Sequence, residues 1–377
     1  MAGIYFHIPF CKTRCNYCDF YSTTDKNKVP ELIKAELKEV DLRKNYLSNE
    51  VIETIYFGGG TPSLISPGNI EKLINTVYKN FKIDANLEIT IEVNPDDINS
   101  NKIKLYNKIG VNRISVGLQS FNNEILSFIN RRHDAAKSLK AIEIIKNAGY
   151  KNISVDLIYG IPNLSIKDWE STIDKTLELK IQHISAYHLS FEKGTKINSQ
   201  LLKKEINQIS DDESFAQYNL LCKKFKKYNF EHYEISNFSL KNFESKHNSA
   251  YWQNKKYLGI GPSAHSYDGN SRQWNVKSLN KYIESINSEK KYFLHEFLNE
   301  NQKYNELILI SLRTNKGLTI NDLKMCFNKN IQNHFLKSVN KYLDNGKIKI
   351  NNKGNYVITE KDWFISDGII SDLFITN

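Results

Sequence analysis

The chain predicts an α/β fold: a partial (β/α)6 TIM-like barrel followed by a smaller α+β, winged-helix-like C-terminal domain. Three observations carry that expectation. Six strand-like runs alternate with helix patterns through the first half, the order that builds a parallel sheet covered by helices. A closed TIM barrel takes eight such units, so six leave it open. The tail then switches to helix–helix–helix–hairpin, the order of a winged helix.

The strand-like runs are Gly3–Ile8, Glu53–Phe57, Leu87–Val93, Arg113–Val116, Ile153–Ile158 and His183–Leu189. Between the first two, Ile33, Leu37 and Val40 form an apolar stripe after Pro30, a good first-turn residue. A second helix starts at the cap Asp134, carries Leu139, Ile142 and Ile145, and stops at Gly149. A third follows Ser165 with Trp169, Ile173 and Leu177. Residues 191–300 are less regular, with a helix pattern from Asp212 to Tyr228 and a strand at His232–Ile235. In the tail a helix around Tyr304–Arg313 ends near Gly317, Thr319 caps the next, and a third runs to about Leu343. Lys347–Ile350, the turn Asn352-Lys353-Gly354 and Tyr356–Thr359 make the hairpin. The expected division is 1–190 for the barrel, 191–300 for a connecting region and 301–377 for the C-terminal domain.

With 377 residues, 40% hydrophobic and 25% charged, the composition is that of a soluble globular protein. No apolar run reaches the roughly 18 residues of a membrane span. The start, Met-Ala-Gly-Ile-Tyr-Phe-His, lacks the basic and apolar regions of a signal peptide, so a cytoplasmic protein is expected. The net charge of +10 comes from lysines scattered along the whole chain. Their densest cluster, Lys223-Lys224-Phe225-Lys226-Lys227, falls on a helix pattern and reads as a solvated face, so nucleic acid is not an expected partner. The winged-helix-like tail supports DNA binding by analogy of fold only; an internal accessory role is the simpler expectation.

The strongest chemical signal is Cys11-x3-Cys15-x2-Cys18. A [4Fe-4S] cluster has four irons, each wanting a thiolate. Three cysteines leave one iron open to chelate a small molecule through an amine and a carboxylate. A structural zinc site is the alternative, with His7 or Asp19 as fourth ligand, although no second cysteine pair accompanies the triplet. Five cysteines are an odd number and disulfides are not expected. Cys222 and Cys326 stand apart in helical contexts as ordinary packing or surface residues.

Further signals sit at or near the ends of consecutive strands. Gly58-Gly59-Gly60-Thr61-Pro62 follows the second strand, where glycines admit a ligand close to the backbone or simply make a tight turn. No Gly-Lys-Ser/Thr follows, so it is not a phosphate loop. Glu92 closes the third strand, either accepting from an ammonium or ribose hydroxyl or lying at the surface. Gln119 follows the fourth strand. Arg131, twelve residues on, reads as a carboxylate clamp or a surface ion-pair residue. Asp156 interrupts an otherwise buried strand and needs donors, whether from a ligand or from an internal pair. One ligand above one barrel mouth accounts for all of them together, because barrel enzymes build their sites at that end of the strands.

The segments Tyr5-Phe6-His7-Ile8-Pro9-Phe10-Cys11 with Cys15 and Cys18, Gly58-Gly59-Gly60-Thr61-Pro62-Ser63, Ile91-Glu92-Val93-Asn94-Pro95, Ser115-Val116-Gly117-Leu118-Gln119-Ser120-Phe121 and Asp156-Leu157-Ile158-Tyr159-Gly160-Ile161-Pro162 resemble the oxygen-independent coproporphyrinogen III oxidase family of radical S-adenosylmethionine (SAM) proteins. The resemblance spans nearly the whole chain. It implies that Cys11, Cys15 and Cys18 ligate a [4Fe-4S] cluster. It also implies that Tyr5, Tyr17, Gly59, Gly60, Thr61, Glu92, Gln119, Arg131 and Asp156 contact one or two SAM molecules. Where such proteins cleave SAM, the reduced cluster gives one electron to the sulfonium and releases a 5′-deoxyadenosyl radical.

Two departures separate the chain from the oxidases. They carry a further cysteine two residues after the third, where Phe20 stands here, and a longer stretch before the cluster motif, which here begins at residue 11. Both features look like the HemW branch of the family, described as heme chaperones. His247-Asn248-Ser249-Ala250-Tyr251-Trp252 is similar to the His-Asn-x-x-Tyr-Trp motif of that branch and makes His247 a candidate heme residue; otherwise it is a structural histidine at a turn, with Tyr251 and Trp252 in the core. His265, in Gly259-Ile260-Gly261-Pro262-Ser263-Ala264-His265, is family-like but receives no role. The resemblance implies heme, an acceptor hemoprotein (at a membrane or not) and an electron donor as partners, and is compatible with a homodimer. Porphyrin biosynthesis by oxidative decarboxylation of coproporphyrinogen III, and a zinc-bound nucleic-acid module, are the alternative functions.

Overall fold

The computed structural model describes residues 1–376. Along one sheet, in chain order and all parallel, run β1 (Ala2–Ile8), β2 (Ile52–Gly59), β3 (Ile83–Val93), β4 (Arg113–Gln119), β5 (Ile153–Tyr159) and β6 (His183–His188). The connections carry α1 (Val29–Leu42), α2 (Pro67–Asn80), α3 (Ser100–Lys108), α4 (Asn123–Phe128), α5 (Ala135–Asn147) and α6 (Ile166–Glu178). Each strand overlaps a run read from the sequence. Helix α2 was missed although Ser66 caps it and Ile70, Leu73, Ile74 and Val77 share its buried face.

Parallel strands covered by helices usually read as continuous apolar runs; these alternate. On β4, Ile114, Val116 and Leu118 are fully buried apolar residues, while Arg113, Ser115, Gly117 and Gln119 lie between them. Ile55 and Phe57 on β2, Ile89, Ile91 and Val93 on β3, and Ile4, Phe6 and Ile8 on β1 do the same, separated by Thr54 and Tyr56, Glu88, Thr90 and Glu92, and Tyr5 and His7. Successive side chains of a strand face opposite ways. The apolar set therefore packs under the helices, and the polar set faces the barrel interior.

The barrel stays open because neither of its edges meets the other. Beyond β6 the sheet continues through β8 and then β7; beyond β1 it continues through β9, β10, β11 and β12. These six strands come from residues 231–297: β7 (Glu231–Glu234), β8 (Asn237–Ser239), β9 (Lys256–Ile260), β10 (His265–Tyr267), β11 (Ser271–Asn275) and β12 (Phe293–Phe297). Helices α7 (Lys196–Leu202), α8 (Asp211–Lys227), α9 (Lys246–Trp252) and α10 (Leu279–Asn287) separate or precede them. The stretch read as a connecting region thus supplies both margins of the sheet, with β9 as a seventh parallel strand beside β1. Strands of three to five residues show too few alternations to be recognised by period.

Beyond them lie α11 (Glu300–Leu312), β13 (Leu318–Thr319), α12 (Ile320–Cys326), α13 (Lys329–Asp344), β14 (Ile348–Ile350), β15 (Asn355–Ile358) and α14 (Ser366–Ser371). The three strands form a separate antiparallel sheet in the order β13-β15-β14. This unit packs directly on the barrel: the amides of Ile235 and Asn315 donate to the carbonyls of Arg313 and Tyr233, each at 3.1 Å. Trp363 lies edge-on to His232 at 4.3 Å. Among the described residues, no helix is long and apolar enough to cross a membrane.

Candidate cofactor site

At the C-terminal ends of the parallel strands opens a cavity of about 420 Å³. Its walls bring together Cys11, Cys15, Tyr17 and Cys18 with Gly59, Gly60, Thr61, Glu92, Gln119, Arg131 and Asp156. Residues separated by up to 145 positions meet here because β1 to β5 stand side by side in chain order. Tyr56, Arg113, Ser115, Ser185, Tyr187 and Asn248 also line it and escaped the sequence reading. The period-two alternation of β2, β4 and β6 was the signal for the five that lie on those strands.

The cysteine loop is stitched to the glycine segment by backbone hydrogen bonds. Gly60 N–H donates to the Ile8 carbonyl and Thr61 N–H to that of Phe10, both at 2.8 Å. A Cβ on Gly60 would stand 2.7–2.9 Å from backbone atoms of Ile8, Pro9 and Phe10, which cannot yield as a side chain can. Gly59 has φ +105, and a Cβ there would strike the His7 ring. Two of the sulfurs are oriented in turn: Thr61 Oγ1 donates to Cys11 Sγ at 3.5 Å, and Arg131 Nη1 to Cys15 Sγ at 3.2 Å. Burial pushes the Cys11 thiol up and that of Cys18 up to about 11. These thiols hold their protons at neutral pH, and metal binding must displace them.

Opposite the cysteines the cavity is acidic. Glu92 accepts from the Tyr56 hydroxyl at 2.8 Å and the Gly59 amide at 3.3 Å. Burial, with the Asp156 charge second, still pushes its carboxyl up to about 7. Burial likewise raises Asp156 to about 6, against hydrogen bonds from Ser185 and Ser115. Arg113, 1% exposed, is the buried cation whose charge opposes both shifts. Gln119 ends β4 with φ +64, a strained left-handed conformation for a side-chain-bearing residue. That backbone puts its amide into the cavity, where Oε1 has no partner, and Arg131 Nε has none either.

Two of the expected contact residues lie outside this cavity. Tyr5 stacks on Tyr56 at 6.1 Å and shares a 3.2 Å hydrogen bond with His7 Nδ1. His247 is in helix α9, not at a turn, and only 3% exposed. It stacks on Tyr56 at 4.9 Å, with Thr54 Oγ1 2.7 Å from Nδ1 and the Tyr251 hydroxyl 3.0 Å from Nε2. Burial lowers its pKa to about 3, so the ring is neutral. Glu88 accepts the Lys246 and His247 amides and pins the helix beneath the barrel. In this structure both ring nitrogens of His247 are engaged by protein hydroxyls. Its neighbour Asn248 is the member of the motif that reaches the cavity.

The donor set suits a cluster with a chelating ligand. Three free thiols share one cavity with orphaned polar atoms of Gln119 and Arg131 and with the two carboxyls that burial pushes up. A lone zinc ion suits it poorly. His7, one candidate fourth ligand, is 4% exposed, with its ring nitrogens at 2.9 Å from the Tyr21 carbonyl and 3.2 Å from the Tyr5 hydroxyl.

An open parallel barrel with a three-cysteine loop over its mouth defines a radical SAM protein, and the Radical SAM superfamily model matches residues 5–176. The HemN C-terminal domain model matches residues 298–365. Heme chaperone HemW of Lactococcus lactis is 31% identical over 98% of this chain and 97% of its own length. Heme chaperone HemW of Bacillus subtilis is 34% identical over 85% of each. The chain belongs to the HemW family. The crystallised coproporphyrinogen III oxidase (HemN) of Escherichia coli superimposes with a TM-score of 0.85 over 99% of this chain and 90% of that one, at 20% identity, a likeness of fold.

Proposed function

We propose that this protein is a heme chaperone that holds a [4Fe-4S] cluster and SAM, binds heme and passes it to an acceptor hemoprotein. The gathering of three thiols, Glu92, Gln119, Arg131 and Asp156 around one cavity carries the cofactor reading. Similarity to proteins named heme chaperone over nearly the full chain supports the heme reading. Cys11, Cys15 and Cys18 hold the cluster. When bound, the cluster and SAM supply one-electron chemistry that no side chain offers. Arg131 clamps a carboxylate, Glu92 and Asp156 accept from an amine or ribose hydroxyls, and the Gln119 amide fills the remaining polar contact. The glycine segment lets the backbone reach the ligand.

The test is anaerobic reconstitution followed by titration with heme and transfer to an apo-hemoprotein. Stoichiometric heme binding and transfer are expected. Absence of heme binding sinks the proposal, and robust protoporphyrinogen formation from coproporphyrinogen III with SAM and reductant replaces it with the oxidase.

Glu92 makes SAM affinity depend on pH. A carboxyl raised to about 7 is largely protonated at pH 6 in the free protein. Donors on the ligand favour its charged form, so binding expels a proton. The sign for the free protein is opposite: a raised carboxyl costs stability as pH climbs from its unfolded value through about 7. SAM affinity is expected to rise about tenfold from pH 6 to pH 8. Calorimetry on reconstituted protein, with the cluster absorbance followed at each pH, measures it. Glu92→Gln should flatten the profile; a flat wild-type profile removes Glu92 from the contact set.

A further inference from the structure

The three cysteine sulfurs are not held alike. Cys11 faces a neutral hydroxyl, Thr61 Oγ1 at 3.5 Å. Cys18 takes its bond from the Phe20 backbone. Cys15 faces a guanidinium, Arg131 Nη1 at 3.2 Å. One sulfur of the triplet is therefore paired with a full positive charge. Arg14, next to Cys15 in the chain, carries the same charge but is exposed to solvent. Among the described residues its side chain makes no hydrogen bond or ion pair.

The contact is fixed from both sides. On one side, the segment after α4 brackets the middle of the cysteine loop. Asn16 N–H donates to the Ile129 carbonyl at 3.1 Å, and Asn16 Nδ2 to that of Phe128 at 2.7 Å. Asn130 Nδ2 donates to the Arg14 carbonyl at 2.7 Å. Asn130 holds φ +61, a left-handed conformation that asparagine adopts more readily than most residues. Residues 14, 15 and 16 are thus each tied to a partner 112–116 positions downstream. On the other side, Arg131 Nη2 donates to the Gly117 carbonyl of β4 at 2.7 Å. A Cβ on Gly117 would stand 3.3 Å from Nη2 and 3.0 Å from Gln119 Nε2, so glycine leaves room for the guanidinium. With Nη2 anchored, the planar group cannot turn Nη1 off the sulfur without losing the Gly117 bond.

We propose that Arg131 is a positioning residue that sets the reduction potential of the cluster through its N–H···S bond to Cys15. The proposal rests on the cluster reading above and gives Arg131 a role toward the sulfur, separate from the carboxylate clamp. Reduction adds one electron to the iron–sulfur core, taken from an external low-potential reductant. No bond breaks and no proton moves. The added electron makes the core and its thiolates more negative. A charged donor on one of those thiolates favours that state, so the potential rises. Arginine keeps its charge throughout the neutral range. Arg131 is half-buried, so water screens that charge incompletely, whereas Arg14 is screened in solvent.

The test equilibrates the full reconstituted chain, without SAM, at fixed potentials set by dithionite and low-potential dyes. Electron paramagnetic resonance reads the reduced cluster, normalised to iron content. Arg131→Met is expected to lower the reduced-to-oxidised ratio about tenfold at a given potential, a negative shift of about 59 mV. Arg131→Lys keeps a charge but not the fork that reaches Cys15 Sγ and the Gly117 carbonyl together. It should lower the ratio about threefold. Arg14→Met removes an equal charge in solvent and should change the ratio by less than about twofold. If Arg131→Met loses its cluster, Arg131→Lys carries the test. A wild-type potential in either cluster-bearing Arg131 variant overturns the proposal while the cluster reading stands. A shift in Arg14→Met as large as that in Arg131→Met overturns it too, because charge near the loop, not the bond, would then set the potential. Loss of the cluster from both Arg131 variants makes Arg131 a residue of cluster retention and also overturns it. A wild type that reconstitutes no cluster overturns the cluster reading itself.

Discussion

Cys15→Ala should strip the reconstituted protein of its cluster, leaving less than about one-tenth of the wild-type iron and sulfide. Two thiolates leave two irons without protein ligands, and a cluster held that weakly is lost on desalting. SAM binding should fall by about 100-fold, near 2.7 kcal/mol, because the open iron provides its chelate. The fold should survive. Cys15 is only partly buried on a loop, and its sulfur accepts from Arg131 Nη1 at 3.2 Å. The backbone bonds that fix this loop run through Ile8, Pro9, Phe10, Cys11 and Thr23 and do not involve the Cys15 side chain. Cys222→Ala is the control. Cys222 lies on α8, outside the cavity lining, and should change neither iron content nor SAM affinity. Wild-type iron in Cys15→Ala would place the cluster elsewhere. One zinc per chain with no sulfide would revive the zinc reading.

How much of this could be read from residues alone depends on how locally the signal is written. The cysteine spacing and the Gly58-Gly59-Gly60 run are local, and the structure joins them through two 2.8 Å backbone bonds. Glu92, Gln119 and Asp156 were legible because each interrupts or ends an apolar run, and a parallel sheet in chain order brings strand ends together. Arg113 was not. At the start of a strand, an arginine looks like a solvent-facing residue, and only the inward curvature of the sheet buries it. The surroundings of His247 were not legible either: its motif suggested a ligand, but sequence does not reveal that Thr54, Tyr56 and Tyr251 enclose it. The strands β9 to β12 are too short for periodicity, so the face bearing His265 and Trp274 appears only once they pair.

Arg113→Met should destabilise the ligand-free protein by about 3 kcal/mol at pH 8 and by much less at pH 5. Arg113 is 1% exposed and lines the same cavity as the two acids, where its charge lowers both carboxyl pKa values. Without it, burial raises Glu92 beyond about 7 and Asp156 beyond about 6. At pH 8 the fold must then either hold uncompensated charge or take up protons, and both cost free energy. At pH 5 the two carboxyls are already mostly protonated, so little is lost by removing their cation. A buried arginine without charged partners is itself a cost, which narrows the gap further. Methionine keeps most of the packing volume, so a pure packing loss would give the same penalty at both pH values. Urea unfolding of wild type and variant at pH 5 and pH 8 separates the two. The same change should move the pH profile of SAM binding upward by about one unit, since Glu92 must lose its proton against a larger penalty. A penalty independent of pH, with an unmoved SAM profile, would make Arg113 a packing residue and leave the tuning of Glu92 to burial alone.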